Sequence, residues 1–323
     1  MPTYTQIISC NTANSNTGIP QCSFDFGTIE KIMLVPKGYK LTQTEVQTLF
    51  DTLNTKAAHT TESLRGYPIG KFINIEDKST ETAMSETGYG SSVLGRKGKF
   101  HFVWNYKNGG MNYDVMLSTF ENAQESYDVL LFDKTSNAII GTTPETNSSF
   151  YVLQGLSLDL IYCPLPKLAA DGVTTHSIGI ILSDANELMQ SMAYYVLPVS
   201  QKVNSIVGLR NLEMSLLQAS GAATSTSLKI RVTTDGGAVD LLALYGTQLA
   251  SLATNFTVTA NATGTAYAIS SGTYTVATNT INFTIATLPA TGTELTITSP
   301  TVTQMTATVP GFANGTLVFK TVA

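Results

Sequence analysis

The chain has 323 residues, of which 43% are hydrophobic and 13% are charged, and its formal net charge is −5. So low a charged fraction excludes a coiled coil and long charged disordered tails. A net acidic chain is also disfavoured as a protein that holds nucleic acid by its phosphates, because that role requires a basic surface. The length suits two domains better than one.

The first elements in chain order have clear patterns. Residues 28–36 are rich in Ile, Leu and Val and predict a strand. Thr42 and Glu45 form a capping box, and apolar residues follow at a spacing of three to four as far as Ala57, which predicts one amphipathic helix. Residues 70–75 predict the next strand.

Residues 76–99 show little helix or strand pattern and predict a long loop. Loops of this length in a compact domain are usually functional or disordered. Acidic residues come first and basic residues last, and these seven are the candidate inter-subunit contacts: Glu76, Asp77, Glu81, Glu86, Arg96, Lys97 and Lys99. Two interpretations stand: a solvated surface loop, or an arm that reaches an adjacent copy, acidic half against basic half, which suits head-to-tail rings.

An aromatic strand follows this segment. Phe100, Phe102, Trp104 and Tyr106 alternate with other residues and share one face. Such a face can stack bases or sugars, but in an acidic protein a core position is the better interpretation. The remaining predicted elements are a helix at 111–122, a hairpin of 127–132 with 138–141, and strands at 149–163, 174–182 and 211–218. We therefore expect residues 1–221 to form an α+β domain, an antiparallel sheet or sandwich flanked by helices, whose sheet ends with 211–218.

The second part, residues 222–323, differs sharply in composition. It holds six charged residues, about a quarter of it is Thr, and a small polar linker at 218–227 precedes it. Seven short strands at 8–12-residue spacing are predicted, at 227–233, 256–259, 274–277, 281–286, 294–298, 304–309 and 316–321. This pattern predicts an all-β immunoglobulin-like sandwich, although the Cys and Trp of antibody domains are missing. The segment resembles the bacterial immunoglobulin-like domains appended to phage virion and cell-surface proteins.

The sequence contains no complete motif for catalysis or cofactor binding. The Gly90–Lys97 stretch fails as a phosphate-binding loop, because Arg96 and Lys97 stand where Lys and Ser or Thr are required. A pairing of Asp171 with His176 is better explained as structural than as acid–base chemistry. We therefore predict no catalytic, cofactor-binding or metal residue, no cofactor and no enzymatic activity.

Cysteine usage and hydropathy limit the cellular setting. Cys10, Cys22 and Cys163 form no CxxC pair, and a Cys10–Cys22 bridge stays open as an alternative. No signal peptide and no apolar run of membrane-spanning length is found, so we expect no membrane association.

The combination of a strand, a capped helix, a sheet with a long arm and a Thr-rich tail resembles tail-tube or collar-type structural virion proteins of tailed bacteriophages. The run Glu86-Thr-Gly-Tyr-Gly90, the aromatic strand, and Tyr127-Asp-Val-Leu-Leu-Phe-Asp133 contribute to this resemblance. It implies a non-enzymatic protein, made in the bacterial host cytoplasm and ending in the virion, that forms a homo-oligomeric ring or tube in the tail or neck. Implied partners are other virion proteins and DNA that passes through the lumen without specific binding.

Two other classes of function remain open. The first is a phage fibre, head-decoration or adhesin protein that binds cell-surface carbohydrate. The second is an enzyme such as a glycan hydrolase, whose paired carboxylates one sequence does not reveal.

Overall fold

The structure is a computed structural model. It describes residues 6–8, 26–59, 61–86, 92–106, 110–144, 150–168, 174–217, 227–234, 239–287, 292–305, 308–309, 311–313 and 315–320. The chain divides into two compact units, Met1–Gly208 and Leu209–Ala323.

The first unit is built mainly from strands. Its described strands are β1 (Gln6–Ile8), β2 (Ile29–Pro36), β3 (Lys40–Thr42), β4 (Tyr67–Gly70), β5 (Phe72–Asp77), β6 (Ala83–Glu86), β7 (Ser92–Arg96), β8 (His101–Tyr106), β9 (Tyr127–Asp133), β10 (Ala138–Thr142), β11 (Tyr151–Gln154), β12 (Leu156–Tyr162), β13 (Lys167–Leu168), β14 (Thr174–Leu182) and β15 (Met192–Val196). Its described α-helices are α1 (Gln43–Gln47), α2 (Leu49–Ala57), α3 (Gly110–Ser118) and α4 (Asn186–Met189).

Antiparallel pairing joins these strands in the order β1-β15-β10-β9-β12-β14-β8-β5, and β2 pairs with both β9 and β4. The sequence of strand β2 is largely apolar because both faces of the strand are covered. Ile32 and Leu34 lie in a core shared with Trp104 of β8, whereas Met33 and Val35 lie in a core shared with helix α2. Side chains that alternate along one strand thus serve two separate cores.

The predicted capping box is confirmed. The Glu45 main-chain N–H donates to Thr42 Oγ1 at 3.3 Å, and the Thr42 N–H donates to Glu45 Oε2 at 2.8 Å. The single helix predicted after it is divided at Thr48, whose ψ of 38° departs from the helical value. The buried face of α2 is Leu49, Leu53 and Ala57 at four-residue spacing, as the pattern predicted.

The second unit consists of two main sheets and a helix. Its described elements are β16 (Arg210–Asn211), β17 (Glu213–Leu216), β18 (Ser227–Thr234), β19 (Val239–Asp240), α5 (Leu241–Ser251), β20 (Thr257–Ala260), β21 (Ala266–Tyr267), β22 (Ile269–Thr275), β23 (Thr280–Ile285), β24 (Glu294–Thr298), α6 (Val302–Met305), β25 (Phe312–Ala313) and β26 (Thr316–Lys320). One sheet has the order β17-β18-β23-β22, with β19 beside β18, and the other has the order β21-β20-β24-β26. Both contribute to one core, which also contains Leu241, Leu242 and Leu249 of α5. The antiparallel β-sheet expected in both parts of the chain is present, and most of the described regular structure is strand.

Three finer expectations need correction. The second part is not all-β: α5 forms because the Asp240 carboxylate caps it by accepting from the Leu242 N–H at 3.0 Å. Residues 304–309 were expected as a strand, but Val302–Met305 is a short helix. Its first turn is capped in both directions, because the Thr301 N–H donates to the Gln304 side-chain oxygen and the Gln304 N–H donates to the Thr301 hydroxyl.

The strand expected at 211–218 does not end the first sheet. Strand β17 pairs with β18 through Met214↔Val232, and Leu212 and Met214 are buried in the core of the second unit. The division of the chain therefore falls after Gly208 and not at residue 221. The segment 218–227, whose composition suggested a linker between domains, connects β17 and β18 in sequence, and these two strands pair in one sheet.

Candidate functional site

The segment predicted as a long loop contains a β-hairpin, which we call the arm. Strands β6 and β7 pair antiparallel, with Ala83↔Arg96 nearest the body and Glu86↔Ser92 farthest along it. Within the described residues this two-stranded sheet pairs with no other strand. Residues 81–85 are exposed, and 73% of Met84 is accessible. The described side chains of β6, residues 83–85, are all exposed, so burial imposes no alternation on that strand.

Below the arm, residues 78–82 and 97–101 form a tightly bonded neck. The Lys78 N–H donates to the His101 carbonyl at 2.8 Å, and the Thr80 N–H donates to the Lys99 carbonyl at 3.1 Å. Hydroxyl side chains add further bonds: the Lys99 N–H donates to Thr80 Oγ1 at 2.8 Å, and the His101 N–H donates to Ser79 Oγ at 3.1 Å. The Ser and Thr residues that made this segment look like a loop are therefore what fixes its two strands together.

Gly98 permits the closest approach in the neck. A Cβ atom at this position would lie 1.7 Å from the Thr80 carbonyl oxygen and 3.2 Å from the Glu81 carbonyl carbon. Only glycine allows the two strands to come this near.

Two of the four acidic candidate contact residues have partners within the subunit. Glu76 lies 3.2 Å from Lys78 Nζ and accepts from Asn105 at 3.2 Å. Asp77 accepts from the Ser79 N–H at 2.8 Å, and hydrogen bonds from Ser79 hold the pKa of Asp77 below its ordinary value. Glu81 is exposed. The side chain of Glu86 lies outside the described residues.

The basic candidates show the same behaviour. Lys99 Nζ lies 2.7 Å from Asp159 Oδ2 of β12. Lys97 Nζ donates to the Asn186 side-chain oxygen at the start of α4. The side chain of Arg96 is outside the described part of the chain. Contact between an acidic half and a basic half of two copies stays a prediction.

A cleft of about 390 Å³ opens at the root of the arm. Eight residues line it: Thr80, Glu81, Ala83, Lys97, Lys99, His101, Asp159 and Ile181. His101 Nε2 lies 2.7 Å from the Tyr162 hydroxyl, and burial, followed by the charge of Lys78, lowers the pKa of His101. The imidazole is therefore neutral near pH 7.

The partner of His176 is Asp114 of helix α3, 62 residues earlier in the chain. Tyr106 donates from its hydroxyl to the other Asp114 oxygen at 2.6 Å and stacks on the His176 ring at 5.6 Å. His176 is only 4% exposed, so this network ties α3 to the sheet. Asp171, the partner considered from the sequence, lies outside the described residues. No spacing pattern in the sequence points to Asp114.

The predicted aromatic core is confirmed, because Phe102, Trp104 and Tyr106 are at most 1% exposed. Cys163 is a free thiol whose pKa burial raises to about 12, with Glu121 adding to the effect. Such a thiol is a poor nucleophile. Cys10 and Cys22 lie outside the described residues.

Among the described residues, no group of three or more His, Cys, Asp or Glu side chains could hold a metal ion. No described helix is long and apolar enough to cross a membrane. No protein-family model and no curated protein matches the sequence.

Proposed function

We propose that the chain is a non-enzymatic structural protein of a phage virion that self-assembles into a ring or tube in the tail or neck. It is made in the cytoplasm of the bacterial host and functions in the virion. The observation that carries the proposal is the arm: a hairpin, β6–β7, that pairs with no other strand among the described residues and is held on a tightly bonded neck.

The physics of short hairpins supports a role for the arm in contact with a neighbour. An isolated two-stranded hairpin is at best marginally stable in water and needs a third strand or a packing surface. The neck supplies order at its base, but Met84 at its middle is 73% exposed. A neighbouring copy would cover this side chain and pair with the hairpin edges. An arm that packs on a different surface of the next copy makes a heterologous interface, which closes into a ring or continues as a tube.

The remaining parts of the proposal follow from charge and fold. A net charge of −5 favours a lumen through which DNA passes without binding, since like charges repel. Two sheets around one core in Leu209–Ala323 support an immunoglobulin-like assignment, from which helix α5 is a departure. Other virion proteins would meet the outer surfaces of the ring.

The test replaces residues 83–96 with Asn-Gly, a two-residue turn that joins the neck strands directly. Thr82 and Lys97 flank the removed hairpin, and the neck bonds below them are retained. We expect an unchanged melting temperature, since the hairpin pairs with no other strand among the described residues, and loss of rings in negative-stain images and native mass spectra.

A matched pair of substitutions controls for the loss of exposed apolar surface. Met84→Ser should weaken assembly, whereas Val199→Ser, at a side chain 86% exposed but far along the chain, should not. Rings formed normally by the armless variant would refute the role of the arm. A wild-type chain that stays monomeric and is retained on bacterial cells would instead favour the adhesin alternative.

A further inference from the structure

The cleft at the root of the arm has the dimensions of a small-molecule site. Its volume of about 390 Å³ falls in the range of roughly 300–1,000 Å³ that is usual for ligand pockets. Its walls come from the neck, from β12 through Asp159 and from β14 through Ile181. Because main-chain hydrogen bonds fix the neck, the fold itself holds these walls in place.

The charges in the cleft balance. Lys97 and Lys99 contribute two ammonium groups, and Glu81 and Asp159 contribute two carboxylates. An anionic ligand would meet both carboxylates, and a cationic ligand would meet both ammonium groups. With a neutral imidazole at His101, the lining has no formal net charge and favours an uncharged ligand.

The same groups retain hydrogen-bonding capacity for a ligand. Lys99 fixes the Asp159 carboxylate through Oδ2 at 2.7 Å, while Oδ1 takes no part in that pair. The Lys97 ammonium has three donors and uses one on Asn186. A carboxylate acceptor and an ammonium donor that line one cleft match the hydroxyl groups of one ligand, each of which donates and accepts. Ala83 and Ile181 add an apolar patch to the lining.

We propose that this cleft binds a neutral sugar unit of a glycan, with Asp159 accepting from hydroxyls, Lys97 donating to hydroxyl oxygens, and Ala83 and Ile181 contacting the C–H face of the ring. A single sugar unit in an open cleft of this kind binds weakly, with a dissociation constant in the millimolar range. The inference does not depend on assembly through the arm.

The test uses the full chain with ¹³C-labelled Ala and Ile methyl groups, observed by methyl NMR. The neutral probes are methyl α-glucoside, methyl α-mannoside, methyl β-galactoside and N-acetylglucosamine. The anionic probes are glucuronate and N-acetylneuraminate. We expect the Ala83 and Ile181 methyl signals to shift saturably with at least one neutral probe and with neither anionic probe. Asp159→Asn should weaken this binding at least tenfold.

Glu30→Gln is the matched control, because Glu30 also pairs with a lysine, Lys134, at 3.5 Å, and does not line the cleft. It should bind like the wild type. The proposal is overturned if no neutral probe moves either methyl signal, if the anionic probes bind better, or if Asp159→Asn binds unchanged. The methyl shifts are read on the wild type, so a misfolded variant does not obscure the result, and either result leaves the assembly assay intact.

Discussion

Substitution of Gly98 by alanine tests whether the neck holds the arm. The added Cβ would lie 1.7 Å from the Thr80 carbonyl oxygen. Ordinary van der Waals contact begins at 3.4 Å, so the two strands must separate by more than an ångström. That separation breaks the hydrogen bonds that join Thr80 to Lys99 in both directions, at 3.1 and 2.8 Å.

The expected magnitude follows from these two bonds. Each contributes a net of about 0.5–1.5 kcal/mol, so the free energy of opening the neck should fall by about 1–3 kcal/mol. Because each 1.4 kcal/mol is about a factor of ten, amide exchange at Lys99 should accelerate roughly 5- to 150-fold. The cores lie elsewhere, so the global unfolding free energy should change little.

Residue-resolved hydrogen exchange at the Thr80 and Lys99 amides measures the effect. Gly208→Ala is the control, since its Cβ would meet only the Pro68 side chain, at 3.3 Å. If Gly98→Ala leaves exchange at both amides unchanged, the neck is not closed by these contacts and the argument for a positioned arm is lost.

Three further predictions concern the rest of the chain. Asp240→Ala should destabilise the second unit by about 1–2 kcal/mol in urea unfolding, because it removes the cap of α5, whereas Asp240→Asn should retain most of it. Burial raises the pKa of Glu187, so the folded state holds this proton to higher pH than the unfolded chain, and wild-type stability falls as pH rises through that window. Glu187→Gln should therefore gain stability relative to the wild type as the pH rises above about 4.3, the ordinary pKa of a glutamate, in unfolding titrations. A chain ending at Gly208 should be soluble and cooperatively folded by circular dichroism, whereas one ending at residue 222 should aggregate, because Leu212 and Met214 lose the core that buries them.

Features fixed by local sequence could be predicted. The capping box at Thr42 and the aromatic alternation around Trp104 depend on neighbours within a few residues, and the structure contains both. Helix α5 carried a local signal as well, since Asp240 precedes Leu241 and Leu242, but the dense strand signals around it favoured an all-β interpretation.

Features fixed by distant contacts could not be predicted. Residues 213–216 belong to the second unit because they pair with β18. A small polar segment separates the two strands in sequence, so the local pattern does not reveal this pairing. The contact between His176 and Asp114 joins residues 62 positions apart, and nothing in either local sequence requires it. In β6, hydrophobic periodicity fails as a signal because periodicity reports burial, and the described residues 83–85 of this strand are exposed.

The internal pairing of the charges at and beside the neck changes what assembly should depend on. Lys99 is paired with Asp159, Glu76 with Lys78, and Lys97 with an amide oxygen of the same subunit. Contact with a neighbour that required breaking these pairs would lose about as much electrostatic energy as it gained. Covering Met84 and pairing hairpin edges does not carry this cost. Ring formation should therefore change little between about 50 and 500 mM NaCl, a range over which exposed charge pairs are increasingly screened. A steep loss of rings with salt in native mass spectra or light scattering would show that acidic and basic halves do meet between copies.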